Sequence, residues 1–259
     1  MLGMGGHMLG SATGPAAAAA PSGGPTLWTM PLDHDFEDLT SSAPPGVIVR
    51  DPSAKLGAAS ISAGALSVLV GASAARMDAS PYAAPGVGVR VTRPTLYEGV
   101  RVRARVKLGA LGSGSFPSVG LAIIKDVGTA TADRTSLEFR CPSGGIVYLW
   151  NASFYAGPSP SQAQKTQGVW FEANVGATGG TYWRYGYTDT DDPDAVTWVG
   201  LSPDSSFWDR TGWSVSPTKL LPGSAFRAVV YSGDDGAGGT GRMDCTYFDV
   251  LGGAVDGAA

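Results

Sequence analysis

The sequence predicts an all-β fold: an antiparallel two-sheet sandwich of the jelly-roll type with an extended N-terminal arm. Composition is the first reason, because 38 glycines and 18 prolines accompany charged residues at only 15%. Long helices need more Lys, Glu, Gln and Leu than this chain offers. The second reason is the alternation of apolar and polar residues in short stretches, which is the period of a half-buried strand. Together they indicate roughly twelve to fourteen strands and no convincing helix.

The chain divides into an arm, one folded domain and a tail. Residues 1–26 are rich in Gly, Ala and Pro and cannot form a core of their own, so we expect a flexible arm. A secretory signal is the less favoured alternative, because no Lys or Arg precedes Arg50 and polar residues interrupt the apolar ones. We expect a β-sandwich domain over residues 27–251 and a flexible tail over residues 252–259.

The predicted strands follow one another along the domain, with turns of Gly, Pro, Ser or Asp between them. An opening strand is expected within residues 27–38. The others cover residues 47–50, 58–61, 66–70, 88–92, 97–108, 118–125, 136–141, 145–153, 169–175, 181–188, 195–201, 225–231 and 242–250. Residues 136–153 form a predicted hairpin, and residues 169–201 form a predicted antiparallel meander of three strands.

Charge and hydropathy narrow the range of partners. The formal net charge of −4 gives no basis for binding nucleic acid, whose phosphates need a basic face. The densest basic run, residues 101–107, carries its charges at period two. We interpret it as the solvated face of a strand rather than as a phosphate-binding stripe. No apolar run approaches the roughly 20 residues of a membrane-spanning helix, so we expect no membrane insertion.

No residue set indicates catalysis, and we expect a protein that is not an enzyme. The two histidines, His7 and His34, are too few for histidine-based zinc sites or Ser-His-Asp triads. Three acids in the opening segment, Asp33, Asp35 and Glu37, share one strand face at period two. We interpret them as solvated edge acids rather than as the carboxylate pair of a glycoside hydrolase.

No cofactor is expected either, although one calcium alternative stays open. Cys141 and Cys245 are interpreted as two buried free thiols, with a bridge between them as the alternative. The acidic turn after the meander's second strand offers oxygen ligands, but it lacks the Gly and the distal Glu of an EF-hand loop. Asp and Pro are also ordinary turn formers, so we favour a plain turn. The Ca²⁺ alternative would use Asp189, Asp191, Asp192 and Asp194.

Aromatic residues supply the candidate ligand-binding site. Trp183, Tyr185 and Tyr187 share one face of the meander's second strand. They either fill the core of the sandwich or form an exposed platform for a glycan, and core packing is favoured. The long aromatic loop at residues 203–222 is either packed over the sheet or functional. The platform alternative would use Trp183, Tyr185, Tyr187, Trp208 and Trp213.

The order of these pieces resembles the concanavalin A-like (laminin G-like) jelly rolls over residues 28–251. The similar segments are the opening strand at 32–38, the strand at 97–106, the meander with its motifs at 183–187 and 191–198, and the closing strand at 243–250. The resemblance implies that the closing strand pairs with the first one. It also implies sugar binding as a common activity, although the same fold serves glucanases and structural domains.

We favour a non-enzymatic virion structural protein for three reasons. The chain has an arm without targeting features, its domain has no catalytic residue set, and its overall sequence character is similar to that of phage virion proteins. We expect a minor tail, baseplate or head-decoration protein whose arm docks on other virion proteins through its Met and Leu side chains. The jelly roll would face outward, for adhesion to a host-surface glycan. We also expect a homo-oligomer, for example a trimer. The alternatives are a secreted carbohydrate-binding module or, less favoured, a glycoside hydrolase.

Overall fold

A computed structural model describes most of the predicted domain. The described residues are 26–30, 47–50, 56–62, 65–70, 86–92, 99–108, 118–125, 134–140, 147–150, 167–175, 181–200, 225–233 and 241–256. They contain strands β1 to β15 and one short 3-10 turn, Pro193–Ala195. Residues 1–25, which hold nearly all of the predicted arm, lie outside this set.

The first sheet contains eight strands, with the meander at one edge and the two longest strands at its centre. Its members are β1 (Leu27–Thr29), β3 (Leu56–Ser62), β4 (Ala65–Val70), β6 (Val100–Leu108), β10 (Val169–Val175), β11 (Thr181–Tyr187), β12 (Thr197–Gly200) and β14 (Gly241–Leu251). Their spatial order is β12, β11, β10, β6, β14, β4 and β3, and β1 pairs with the C-terminal end of β14.

The second sheet contains seven strands and lies against the first. Its members are β2 (Val47–Arg50), β5 (Gly86–Thr92), β7 (Ser118–Lys125), β8 (Arg134–Arg140), β9 (Val147–Trp150), β13 (Ala225–Gly233) and β15 (Ala254–Val255). Their order is β15, β5, β13, β7, β8 and β9, and β2 pairs with β5. Every pairing within both sheets is antiparallel among the described strands. The predicted two-sheet sandwich is confirmed.

The core lies between the sheets and is built from alternate residues of each strand, as the period of two requires. From the second sheet, the ring of Phe139 lies 5.1 Å from the ring of Phe171 and 5.3 Å from that of Tyr185 on the first sheet. Cys245 belongs to the same cluster and is a buried free thiol, as predicted. Cys141 lies outside the described residues.

The strand pattern of the sequence is reproduced closely. The meander exists with the predicted antiparallel pairing of β10 with β11 and of β11 with β12. The hairpin is also present, since β8 pairs with β9. The closing strand pairs with the first, with Leu27 opposite Leu251 and Thr29 opposite Asp249. This pairing was implied by the resemblance and is confirmed.

The predicted flexible tail is wrong for residues 252–256. Gly252 has φ +88°, a value that suits glycine, and it directs the chain from β14 in the first sheet to β15 in the second. Val255 is buried there opposite Val91. Asp256 donates its backbone N–H to the carbonyl of Arg90 at 3.1 Å, and its carboxylate pairs with the same arginine. The folded domain therefore extends beyond the predicted end at residue 251. Among the described residues, no helix is long and apolar enough to cross a membrane.

Candidate functional site

The surface of the first sheet that faces away from the core, called the outer face below, carries a row of charged residues. On β14, β6, β10 and β11, the residues between the core-facing ones project to this surface. The strand register places Asp249, Arg103, Glu172 and Arg184 side by side across these four strands. We call these four residues the charge row. Its signs alternate from one strand to the next, which is the favourable arrangement for neighbouring cross-strand pairs.

The charge row consists of two ion pairs, each between one arginine and one carboxylate. Arg103 donates to Asp249 through Nη2 at 2.7 Å and through Nε at 3.1 Å. Arg184 donates to Glu172 through Nη2 at 2.9 Å and also through Nε. Both carboxylates are fully buried, and paired guanidinium groups satisfy their oxygens in the bidentate geometry that arginine favours.

Tyr247 lies beside the charge row on β14, and its hydroxyl proton is held in a hydrogen bond to that row. Its hydroxyl donates to Asp249 Oδ2 at 2.9 Å. Burial, followed by the charge of Asp249, raises the pKa of Tyr247 to about 12. Burial also raises the pKa of Glu172 above its ordinary value, and the hydrogen bond and charge of Arg184 oppose that rise. Tyr247 therefore keeps its proton at neutral pH and serves as a donor to Asp249.

A row of aromatic rings lies beside the charge row. The Trp170 ring is 4.9 Å from the Tyr247 ring and 6.4 Å, edge to face, from the Trp198 ring. Gly186 separates Trp170 from Trp198 in the register and leaves space for these rings to meet. The guanidinium of Arg184 lies 4.3 Å above Trp198, within range of a cation–π contact. Trp170 is buried, whereas Trp198 and Tyr247 are half-buried and accessible.

Arg105 closes one end of the outer face and has a structural role. Its guanidinium donates to the carbonyls of Gln167 at 2.6 Å and Thr188 at 2.9 Å and pairs with Asp191. Gly168 has φ +135°, and a Cβ atom there would lie 2.6 Å from Arg105 Nε. Glycine is therefore required beside this arginine, both for its backbone conformation and for the space it leaves.

The interpretation of residues 101–107 as a solvated face is wrong for two of the arginines. Arg103 is 8% exposed and Arg105 is fully buried. The physical reason is that carboxylates from distant parts of the sequence, Asp249 and Asp191, neutralise them at the outer face. Period two correctly placed these charges on one side of the strand, but it could not reveal their partners.

The acidic turn is built as an ordinary turn, the favoured interpretation. Asp192 caps the 3-10 turn by accepting the backbone N–H of Asp194 at 2.9 Å. Asp191 is directed to Arg105 instead. Within the described part of the chain, no group of three or more His, Cys, Asp or Glu residues is arranged to hold a metal ion. Asp189, Asp191, Asp192 and Asp194 are therefore not gathered into a ligand set in this structure.

The structure places the central residues of the platform alternative in the core, which was the favoured interpretation. Trp183 and Tyr185 lie in the core between the sheets, and Tyr187 packs against that core from its margin. The rings of Trp183 and Tyr185 present no open face to a sugar, whereas Tyr187 is half-buried. For Trp183 and Tyr185 the structure therefore favours core packing, the preferred interpretation. Trp208 and Trp213 lie outside the described residues, as do the acids of the opening segment.

Sequence reasoning missed the residues that the structure brings together on the outer face. Glu172 is the one charged residue in a strand that is otherwise apolar except for Asn174, and this was the one local signal of a buried charge. Its partner Arg184 follows the turn to β11, whereas Arg103 and Asp249 are 146 residues apart in sequence. Only the register of the folded sheet aligns these residues. The half-buried members Trp198 and Tyr247 were likewise not predicted as site residues.

No protein-family model and no curated protein matches the sequence. Similar solved structures include a GH43 protein, BlXynB, from Bacillus licheniformis, with 12% sequence identity and a TM-score of 0.49 over 85% of this chain and 38% of that chain. The CBM2 module of the evolved Dit of Lactobacillus casei BL23 phage J-1 has 12% identity and a TM-score of 0.48 over 90% of this chain and 99% of that chain. Arcelin-5, a lectin-like defense protein from Phaseolus vulgaris, has 9% identity and a TM-score of 0.47 over 88% of this chain and 98% of that chain. This chain thus spans 38% of the length of the GH43 protein. With its two packed antiparallel sheets, the chain has the fold of a lectin-like jelly-roll sandwich.

Proposed function

We propose that this chain is a non-enzymatic, glycan-binding structural protein of a virion, a phage minor tail, baseplate or head-decoration protein. The outer face of the first sheet is the proposed glycan site. One observation carries this assignment: half-buried aromatic rings lie directly beside a fixed row of hydrogen-bonding charges. A sugar presents apolar C–H faces and hydroxyl groups together, and binding sites for such ligands combine aromatic surface with a few well-placed polar groups.

The geometry of the outer face suits binding because its groups are held in place before a ligand arrives. Arg184 is fixed between the Glu172 carboxylate and the Trp198 ring, yet its side chain is 37% exposed. Tyr247 is fixed by its hydrogen bond to Asp249. Side chains that are already ordered lose little conformational entropy when a ligand binds.

The state of the two buried carboxylates supports the non-enzymatic part of the proposal. Glycoside hydrolysis needs one carboxyl group to give up a proton and another to act as base or nucleophile. Glu172 and Asp249 are each engaged by an arginine fork. The glycoside-hydrolase alternative is tested by reducing-sugar release, which Asp35→Asn would abolish if the opening acids were catalytic.

The virion part of the proposal is supported by the Gly/Ala/Pro-rich arm at residues 1–26, whose Met and Leu side chains suit docking on a neighbouring virion protein. In this proposal the jelly roll faces outward and the protein is a homo-oligomer, for example a trimer. Mass spectrometry of purified particles tests it, because the intact N-terminal peptide should be found there. A processed N-terminus in culture medium would instead favour the secreted carbohydrate-binding module.

The glycan site is tested by the first of our predictions, a comparison of two tryptophan variants on a glycan array. Trp198→Ala removes the half-buried ring of the outer face, so we expect affinity for the bound glycan to fall about tenfold or more. Trp28→Ala is the matched control, because Trp28 packs edge-on against Phe248 on the core side of the same sheet. This control should retain binding, with its folding checked by thermal unfolding.

Two outcomes would overturn the glycan site. Unchanged affinity of a folded Trp198→Ala protein would show that the ligand binds elsewhere. Failure of the wild-type protein to bind any glycan on a broad array would remove the adhesive part of the proposal and leave the virion part to the particle experiment.

A further inference from the structure

The charges around the charge row do not balance. Together with its neighbour Arg101, this row holds three cationic side chains and two carboxylates. The cationic groups are Arg101, Arg103 and Arg184, and the acidic groups are Glu172 and Asp249. A surplus cation on a partly buried surface is unusual, because desolvation of an unpaired charge is costly.

The surplus can be assigned by pairing each cation with a carboxylate. Arg103 and Arg184 each make a direct ion pair with one acid of their own. These two pairs use both carboxylates. Arg101 is therefore the cation that has no carboxylate to itself.

The contacts of Arg101 agree with this assignment. Its Nη2 lies 3.7 Å from Asp249 Oδ2, which is too long for a hydrogen bond. That same oxygen already accepts from Arg103 and from Tyr247. Arg101 Nε is buried and has no hydrogen-bond acceptor among the described residues. The side chain still keeps 20% of its surface exposed, so a ligand can reach it.

We propose that the outer face binds a saccharide bearing an anionic group, a carboxylate or a sulfate, and that this group accepts hydrogen bonds from Arg101. The inference rests on the proposed glycan site and names its substrate class. A guanidinium group matches either anion with two parallel N–H donors. The anion would supply Arg101 with a counter-charge of its own, whereas with a neutral sugar Arg101 would continue to share Asp249 with Arg103.

The preference must come from Arg101 locally, because the whole chain carries a formal net charge of −4. A protein of this charge repels polyanions at long range. Non-specific attraction to an acidic glycan is therefore disfavoured, and binding of such a glycan would indicate a specific contact. Asn174 lies next to Arg101 in the register and places an amide group beside the same anion.

The test, our second prediction, uses a glycan array of matched pairs, in which each uronate, sialylated or sulfated oligosaccharide has a neutral counterpart. The wild-type protein should bind the acidic member at least tenfold more tightly. Comparison of carboxylated with sulfated members identifies the anion. The selected pair is then measured by calorimetry with Arg101→Gln, in which the preference for the acidic member should disappear.

The control variant is Arg90→Gln, which removes the same charge from the second sheet, where Arg90 pairs with Asp256. It should retain the preference. Arg101→Lys keeps the charge but loses the planar fork, so it should give an intermediate preference. If Arg101→Gln does not fold, this lysine variant and the matched glycan pairs still decide the question.

The outcomes separate this inference from the proposed function. Equal binding of acidic and neutral members, or a preference that survives Arg101→Gln, overturns the role of Arg101. If either of these results is found but Trp198→Ala still loses glycan binding, the proposed glycan site is supported without the role of Arg101. If no glycan of either kind binds, the proposed glycan site and the role of Arg101 are both overturned, and the virion part is left to the particle experiment.

Discussion

The outer faces of the two sheets differ far more than their inner faces do. Both inner faces are apolar and form one core. The outer face of the second sheet carries a small buried cluster of apolar side chains, with Ile124 and Tyr231 among them, and the Tyr231 hydroxyl bonds to Glu138 at 2.7 Å. The outer face of the first sheet carries paired charges and indole rings instead. The common inner faces form the fold, and the difference on the outside points to the first sheet as the place of function.

The energetics strengthen this comparison. A buried ion pair gains little net stability over apolar residues of the same volume, because desolvation offsets most of the attraction. The second sheet shows that this fold can bury apolar groups on an outer face. Among the described residues, the first sheet retains two buried carboxylates on its outer face, each paired with an arginine, whereas the second sheet retains one, Glu138. A requirement other than stability, such as ligand recognition, would account for such an arrangement.

Breaking the charge row gives the largest expected effect, our third prediction. Asp249→Asn would leave Arg103 buried without its counter-charge. Removal of one member of a buried pair typically costs about 3–5 kcal/mol, so the free energy of unfolding, measured by urea denaturation, should fall by about this amount.

A matched control is Asp256→Asn, which breaks an exposed pair with Arg90 and should cost less than about 1 kcal/mol. A loss below about 1 kcal/mol for Asp249→Asn as well would mean that the charge row does not behave as a desolvated network. The contrast drawn between the two outer faces would then disappear.

The sequence predicted the inner faces well, for a physical reason. Core-facing residues repeat at period two whatever their partners are, so alternation located β10 with its observed bounds. A continuous apolar run located β7 with its observed bounds. The same alternation placed Trp183 and Tyr185 together on one side of β11. It could not say which side faces the core, because both sides of that strand carry large residues.

The outer face could not be predicted from the sequence, because its properties depend on register. Arg103 meets Asp249 only after β6 and β14 have paired, and Arg105 meets Asp191 only through a turn at the end of β11. The tail was missed for a related reason. Residues 254–255 form too short a strand to show a period, and only the edge of β5 orders them.

The second sheet offers a smaller effect, our fourth prediction. Tyr231→Phe removes the hydroxyl donor of buried Glu138, and loss of one such hydrogen bond should cost about 1–2 kcal/mol, because Glu138 retains a further interaction. A double-mutant cycle with Glu138→Gln isolates the coupling between the two side chains. Coupling as large as that between Arg103 and Asp249 would contradict the distinction between the two outer faces.

The fifth prediction concerns the smallest effect. It compares how one residue on each side of β14 makes the stability of the protein depend on pH. The pKa of Tyr247 on the outer side is raised to about 12, first by burial and then by Asp249. The pKa of Cys245 on the core side is raised to about 12 by burial. In the unfolded chain both groups lose their protons at lower pH, the thiol at about 8.5 and the phenol at about 10. Stability therefore falls as pH rises from there towards about 12, because the folded state keeps protons that the unfolded state has released.

The two contributions separate in a Cys245→Ala background, in which urea unfolding is measured from about pH 8 to about pH 12. Adding Tyr247→Phe should lower stability at neutral pH, because the hydrogen bond to Asp249 is lost. The same variant should flatten the fall above about pH 10, because no phenol remains to titrate. The change is expected to be modest, since Tyr247 is only half-buried and water screens its interactions. If the free energy of unfolding falls equally steeply with pH with and without the tyrosine, the charge row does not hold the proton of Tyr247. The phenol on the outer side of β14 would then titrate like one on an ordinary exposed strand.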